Sequence, residues 1–144
     1  MYVISCEGEI APIMNKDFDA WNMHKKNIEY RNRNILFKTG EVWWVDIGIN
    51  IGSESCGAGE NMRRPVLIIK KLSANTCICL PITRQKKQGS WFCGVRVRDS
   101  IQYVLLHQIR MLHSKRFQCR LETLNKADFN RVKEKLEILL ELSL

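Results

Sequence analysis

Apolar residues in this chain follow helical spacing at its two ends and short strand-like runs between them. Near the start, Phe18, Trp21 and Ile28 share one face, which predicts a helix over residues 16–30. Asn15 is placed to cap it, Asp17 and Asp19 suit the positive end of its dipole, and Lys25 and Lys26 suit the far end. Residues 1–14 carry no period and read as an arm or a short edge strand. The run Arg31-Asn32-Arg33-Asn34 breaks the helix and reads as solvated surface rather than a binding site.

Strands are predicted over residues 40–47, 65–71, 76–83, 91–98 and 102–111, with a short one ending at Leu121. Residues 72–75 form a tight connection between the second and third. In the first strand Trp43 and Trp44 point to opposite faces. One packs in the core, and the other covers a neighbouring element or stacks on a base. In the fourth, Arg96 and Arg98 fall on one face, a phosphate track or a solvated surface. The end of the chain is helical: Asn125 caps it, Asp128 sits in the first turn, and Phe129, Val132, Leu136, Leu139 and Leu140 line one face. Lys133, Glu134, Lys135 and Glu137 take the solvent side. Short strands closed by an amphipathic helix predict an α+β, mainly β, fold: a small, partly open barrel with helices attached.

Composition narrows the partners. The 144 residues suit one domain, and 23 Lys plus Arg against 15 Asp plus Glu give a net charge of +8. Such a surplus favours an anionic partner, most often nucleic acid. The six cysteines form no C-x-x-C pair, so they read as small buried hydrophobes in a reducing cytoplasm, and no metal site is expected. No apolar stretch approaches the roughly 18 residues that span a bilayer, and the first residues lack a signal-peptide pattern. A cytoplasmic protein with no membrane role is expected.

Candidate chemistry centres on Arg63 and Arg64, at the mouth of the second strand. Before them lies a glycine-bearing loop, residues 48–62; after the third strand comes the basic turn with Arg84, Lys86 and Lys87. The loop glycines permit close backbone approach to a ligand, but their spacing matches neither G-x-G-x-x-G nor a Walker A loop. A nucleoside-triphosphate site is therefore not expected.

Five segments, in order, resemble the MazF/PemK toxin family: Gly40-Glu41-Val42-Trp43-Trp44-Val45-Asp46, Gly52-Ser53-Glu54, Arg64-Pro65-Val66-Leu67-Ile68-Ile69, Pro81-Ile82-Thr83, and Leu105-Leu106-His107-Gln108-Ile109-Arg110 with Ser114-Lys115-Arg116. The resemblance implies an SH3-like barrel of the CcdB/PemK type over residues 39–144, with residues 1–38 as an N-terminal extension carrying one helix. It further implies a homodimer that cleaves single-stranded RNA sequence-selectively without metal or cofactor, restrained by a cognate antitoxin. The catalytic positions implied are Arg64, Thr83 and Glu54. RNA contacts are expected from Ser53, Arg63, Arg84, Lys86, Lys87, Arg96, Arg98 and Gln108. His107 stands where the family often has an acid; it is itself capable of acid–base chemistry, and strand alternation predicts that it faces away from Gln108. A non-catalytic nucleic-acid-binding barrel and a CcdB-like gyrase poison are the competing readings.

Overall fold

Alternating β-branched and aromatic residues give the middle of the chain its strands, and every ladder among the described residues is antiparallel. The computed structural model describes residues 2–4, 10–12 and 16–142, with only the backbone of the first two segments. Those two form a hairpin, β1 (Tyr2–Ile4) with β2 (Ile10–Pro12). Helix α1 (Phe18–Glu29) follows, then β3 (Glu41–Asp46), β4 (Arg63–Lys71), β5 (Thr76–Thr83), β6 (Phe92–Val97), β7 (Ser100–Leu105), β8 (Arg110–His113), β9 (Phe117–Thr123) and α2 (Lys126–Leu140). The main sheet runs β6-β7-β5-β4-β3-β9 and curls into a half-barrel. Strand β5 is its branch point: Thr76 to Cys79 pair with β8, and Ile82 and Thr83 pair with β7. The α+β, mainly β, expectation with a helix at each end is met.

Alternation splits the core in two. Val42, Leu67, Leu80, Ile82 and Val104 face α2, which contributes Val132 and Leu136. Trp43, Val66, Ile68, Cys77 and Cys79 face the other way, against Phe37 and Phe117. Cys77, Cys79 and Cys93 are fully buried, as small core residues. Asn125 caps α2 as expected, accepting from Asp128 N at 2.8 Å; Leu140 at the far end is exposed.

Several sequence expectations are corrected. Asn15 lies outside the described residues, and Asp17 caps α1 instead, accepting from Ala20 N at 2.8 Å. Phe18 is exposed because it opens the helix, before the apolar face meets the barrel, while Trp21 and Ile28 are buried. The expected strand over residues 102–111 is two strands broken by a 3₁₀ turn, Leu106–Gln108, where the chain crosses from one end of β5 to the other. Leu106 is buried there and donates its N–H to Trp91 O at 2.8 Å. Arg98 is not in β6: with φ of 54° it occupies the turn into β7, so the alternation with Arg96 ends before it.

One carboxylate is a centre of the contacts between the extension and the barrel. Asp46, at the end of β3, is fully buried. It accepts from Arg31 Nη1 at 2.8 Å, from Arg63 Nε at 2.9 Å, and from Gln118 Nε2. His24 Nε2 lies 3.7 Å away. Burial by itself would raise the Asp46 carboxyl; the hydrogen bonds from Arg31, Arg63 and Gln118, with the charge of Arg31, outweigh it and hold the group below its usual range. Arg33 adds a bond to Phe117 O at 3.0 Å. The two arginines after α1 are thus tied to the barrel, through a buried anion and a strand-end carbonyl, while Asn32, Arg33 and Asn34 stay exposed as the expected solvated surface.

Candidate functional site

The hairpin β4–β5 creates the site through its register. Val66 pairs with Pro81 and Leu67 with Leu80, but a bulge between Ile68 and Lys70 shifts the ladder by one residue. Continued to the open end, the shifted register brings Arg64 opposite Thr83; unshifted, it would bring Arg84 there. The Arg64 guanidinium leans across, donating from Nη1 to Ile82 O at 3.2 Å and from Nε to Cys56 O at 2.8 Å. Both acceptors are neutral carbonyls, so Nη2 and the net charge remain available. Burial pulls the Arg64 guanidinium below its ordinary range, while the Cys56 thiol acts in the opposite sense.

A groove of about 340 Å³ opens above this pair, between the loop of residues 48–62 and the 3₁₀ turn. Thr83 Oγ1 accepts from Gln85 N at 3.2 Å, leaving its hydroxyl proton to be donated. Glu54 is exposed on the loop side, with Oε1 accepting from Ile51 N at 2.9 Å. Gln108 ties loop to turn, accepting from Ser55 N and donating to Ser53 O, each at 2.9 Å. Lys87 lines the same groove from the basic turn. Ser53, Glu54, Arg64, Thr83, Lys87 and Gln108 therefore meet in one place.

The loop itself is held in shape. Gly57 N donates to Gly48 O at 2.8 Å, Asn50 Nδ2 to Ser55 O at 2.6 Å, and Asn50 N to Cys56 Sγ at 3.1 Å. Gly48 must be glycine: its φ is 86°, and a Cβ would sit 2.1 Å from Trp21 Cε2.

Other expected contacts lie elsewhere. Arg63 is committed to Asp46. Arg84 lines a neighbouring depression with Trp44 and Pro65 that shares Arg64 and Thr83 with the groove, and Lys86 is exposed on the turn. Arg96 is exposed about 13 Å along β6 from Phe92, at ~3.3 Å per residue, and Arg98 lies beyond it at the hairpin tip. Their backbone amides are taken by Asp128 Oδ2 and Glu122 Oε2, both at 2.8 Å.

His107 corrects the alternation argument. Within a 3₁₀ turn it no longer faces away from Gln108, and both line the groove. Its ring lies against Trp91 (centroids 4.9 Å apart) and edge-on to Phe92 (5.5 Å). Sequence reasoning also missed Arg110, which lines the adjoining depression, and Lys16, which reaches the groove from before α1. Arg110 sits in a quoted segment and its basic character was a usable signal; Lys16 had no local signal. Among the described residues, no three His, Cys, Asp or Glu side chains are grouped to hold a metal ion, and no helix is long and apolar enough to cross a membrane.

A family model described as PemK-like, MazF-like toxin of type II toxin-antitoxin system matches residues 38–140. No curated protein matches the chain. Among solved structures, MazF from Deinococcus radiodurans aligns with a TM-score of 0.60 at 22% identity, over 74% of this chain and 98% of that one. A MazE–MazF structure from the same organism gives 0.59 at 19%, over 76% and 99%. An endoribonuclease in complex with its cognate antitoxin, from a mycobacterial species, gives 0.60 at 18%, over 76% and 99%. At these identities the likeness is one of fold.

Proposed function

The chain belongs to the PemK-like, MazF-like toxin family of type II toxin–antitoxin systems, and from that premise we propose that it is an endoribonuclease toxin cutting single-stranded RNA sequence-selectively in the Arg64–Thr83 groove. The observation that carries this is the state of Arg64: a half-buried guanidinium held only by two carbonyls, with no carboxylate partner among the described residues. A cation kept partly desolvated and unneutralised suits a phosphate that arrives with the substrate.

The groups present suit one reaction. The ribose 2′-hydroxyl attacks the adjacent phosphorus and gives its proton to a base. The 5′-oxygen leaves and takes up a proton from water while the base returns its own to solvent, so the products are a 2′,3′-cyclic phosphate and a 5′-hydroxyl. Arg64 stabilises the charged phosphorane, and Thr83 donates to a non-bridging oxygen, so electrostatic stabilisation comes from side chains without a metal. Glu54 has one oxygen fixed by Ile51 N and the other free to accept the proton. His107, held by its aromatic neighbours, reaches the same groove, and the base is whichever of the two lowers kcat about a hundredfold or more on substitution by glutamine. DNA lacks the nucleophile and is not cut.

The protein acts as a homodimer in the cytoplasm, where its mRNA substrates are. A cognate antitoxin restrains it by laying a flexible segment along the same unneutralised cations. The test is incubation with a long single-stranded RNA, with and without EDTA, alongside Arg64→Ala. Cleavage that survives EDTA, leaves cyclic phosphate ends and falls about 10²–10³-fold in the variant is expected. RNA bound but left intact by both proteins overturns the enzyme in favour of a non-catalytic binder.

A further inference from the structure

We propose that Lys16, in the extension outside the family-matched region, is a phosphate-binding residue of the groove; the inference rests on the ribonuclease reading above. The family match begins at residue 38. The aligned solved structures are used over 98–99% of their own length yet cover only 74–76% of this chain. What Lys16 supplies is therefore an addition from outside the family-matched residues.

The Lys16 ammonium donates to Asn50 O at 2.7 Å and to Gly52 O at 2.9 Å, on the loop that carries Ser53 and Glu54. An ammonium has three N–H donors, so one remains. Lys16 makes no ion pair among the described residues, and it lines the same groove as Arg64, Thr83 and Lys87. A full positive charge, anchored by neutral oxygens and facing the groove, is the arrangement already seen at Arg64.

The position of Lys16 is set by several independent contacts. Trp21 fills the space where a side chain at Gly48 would lie. Trp21 and Ile28 pack with Met62, so α1 grips the loop at both of its ends. Arg116 lies 5.7 Å over the Trp21 ring, and Arg31, just past the helix, is locked to Asp46. A helix held this way cannot slide along the loop, and Lys16 precedes its cap by one residue. The extension thus completes the groove with a cation rather than merely covering the barrel.

The test uses the full chain and a short single-stranded RNA with 2′-O-methyl riboses, which blocks the attacking hydroxyl and allows binding to be measured alone. Affinity is followed against salt for wild type, Lys16→Gln, Lys16→Arg and, as a distant control, Lys133→Gln on α2. Each phosphate contact on a single strand contributes about 0.7 to the slope of log affinity against log salt. Lys16→Gln is expected to flatten the slope by about that amount, Lys16→Arg to keep it, and Lys133→Gln to leave it unchanged. An unchanged slope in Lys16→Gln, even with weaker binding, overturns the inference alone and leaves Lys16 a loop anchor. An equal flattening in Lys133→Gln overturns it too, since net charge then accounts for the effect. A wild-type protein that does not bind the strand overturns the ribonuclease reading and this inference together.

Discussion

Arg63 and Arg64 are neighbours in β4 and serve opposite ends. Arg63 turns to the Asp46 cluster, where a fully buried carboxylate gathers Arg31, Arg63 and Gln118. Arg64 turns to the groove, where it and Lys16 are held by carbonyl oxygens and no carboxylate pairs with either. In the cluster, charge is neutralised and the atoms are spent on joining extension to barrel. In the groove, charge is fixed in place and left unneutralised, which costs stability unless an anion comes to it. Whether a charge is paired, rather than its residue type, separates the structural side of this molecule from the receptive one.

The largest effect that tests this division is at Asp46. Asp46→Asn removes the buried anion and leaves its arginines facing an amide, at a cost of about 3 kcal/mol read as a lowered urea midpoint. The same group makes the folded state acid-sensitive. Its carboxyl lies below the ordinary 3.8 when folded, so its contribution is fully present at neutral pH. It is lost progressively as the pH falls past 3.8 through the folded value. Wild type should lose stability over that range more steeply than Asp46→Asn; parallel curves would show that the cluster holds nothing.

Arg63→Ala tests the same side with a smaller change. Asp46 keeps Arg31 and Gln118, and Arg63 is partly exposed, with 36% of its side chain accessible, so the expected loss is about 2 kcal/mol. RNA cleavage per folded molecule should fall far less than in Arg64→Ala. If the two variants lose activity alike, the division between the neighbours fails.

Sequence reading reached the strands, the terminal helix and part of the groove, through Ser53, Glu54, Arg64, Thr83, Lys87 and Gln108. Thr76–Thr83 was legible because an alternating apolar run is a local property, and so were Asn125 and the α2 face. What escaped reading is set by tertiary register. The bulge beside Ile69, which puts Thr83 rather than Arg84 across from Arg64, carries no glycine or proline to announce it. The 3₁₀ turn that brings His107 and Gln108 to one groove is equally silent. It exists because β5 pairs with different strands at its two ends. Arg31 read as solvated surface and Arg63 as an RNA contact because their partner, Asp46, lies 15 and 17 residues away, and Lys16 looked like nothing because its acceptors are backbone carbonyls 34 and 36 residues away.

Gln108 is the most delicate test, because its two sides of the comparison separate by kind rather than by size. Its amide makes two bonds to the loop, from Ser55 N and to Ser53 O, and both loop groups can turn to water when it is lost. Gln108→Leu should therefore cost only about 1 kcal/mol of stability. Its effect on cleavage should be greater, because the loop carries Glu54. Misplacing a reacting group by about 1 Å is worth roughly a hundredfold, but Asn50, Cys56 and Lys16 still hold the loop. The expected fall in kcat/KM is about tenfold, or 1.4 kcal/mol. Gln108→Glu keeps one acceptor for Ser55 N but places a negative charge where RNA phosphates pass, so it should bind RNA more weakly than Gln108→Leu despite its closer shape. A Gln108→Leu protein that loses stability without losing activity would move this residue from the groove's side of the division to that of Asp46.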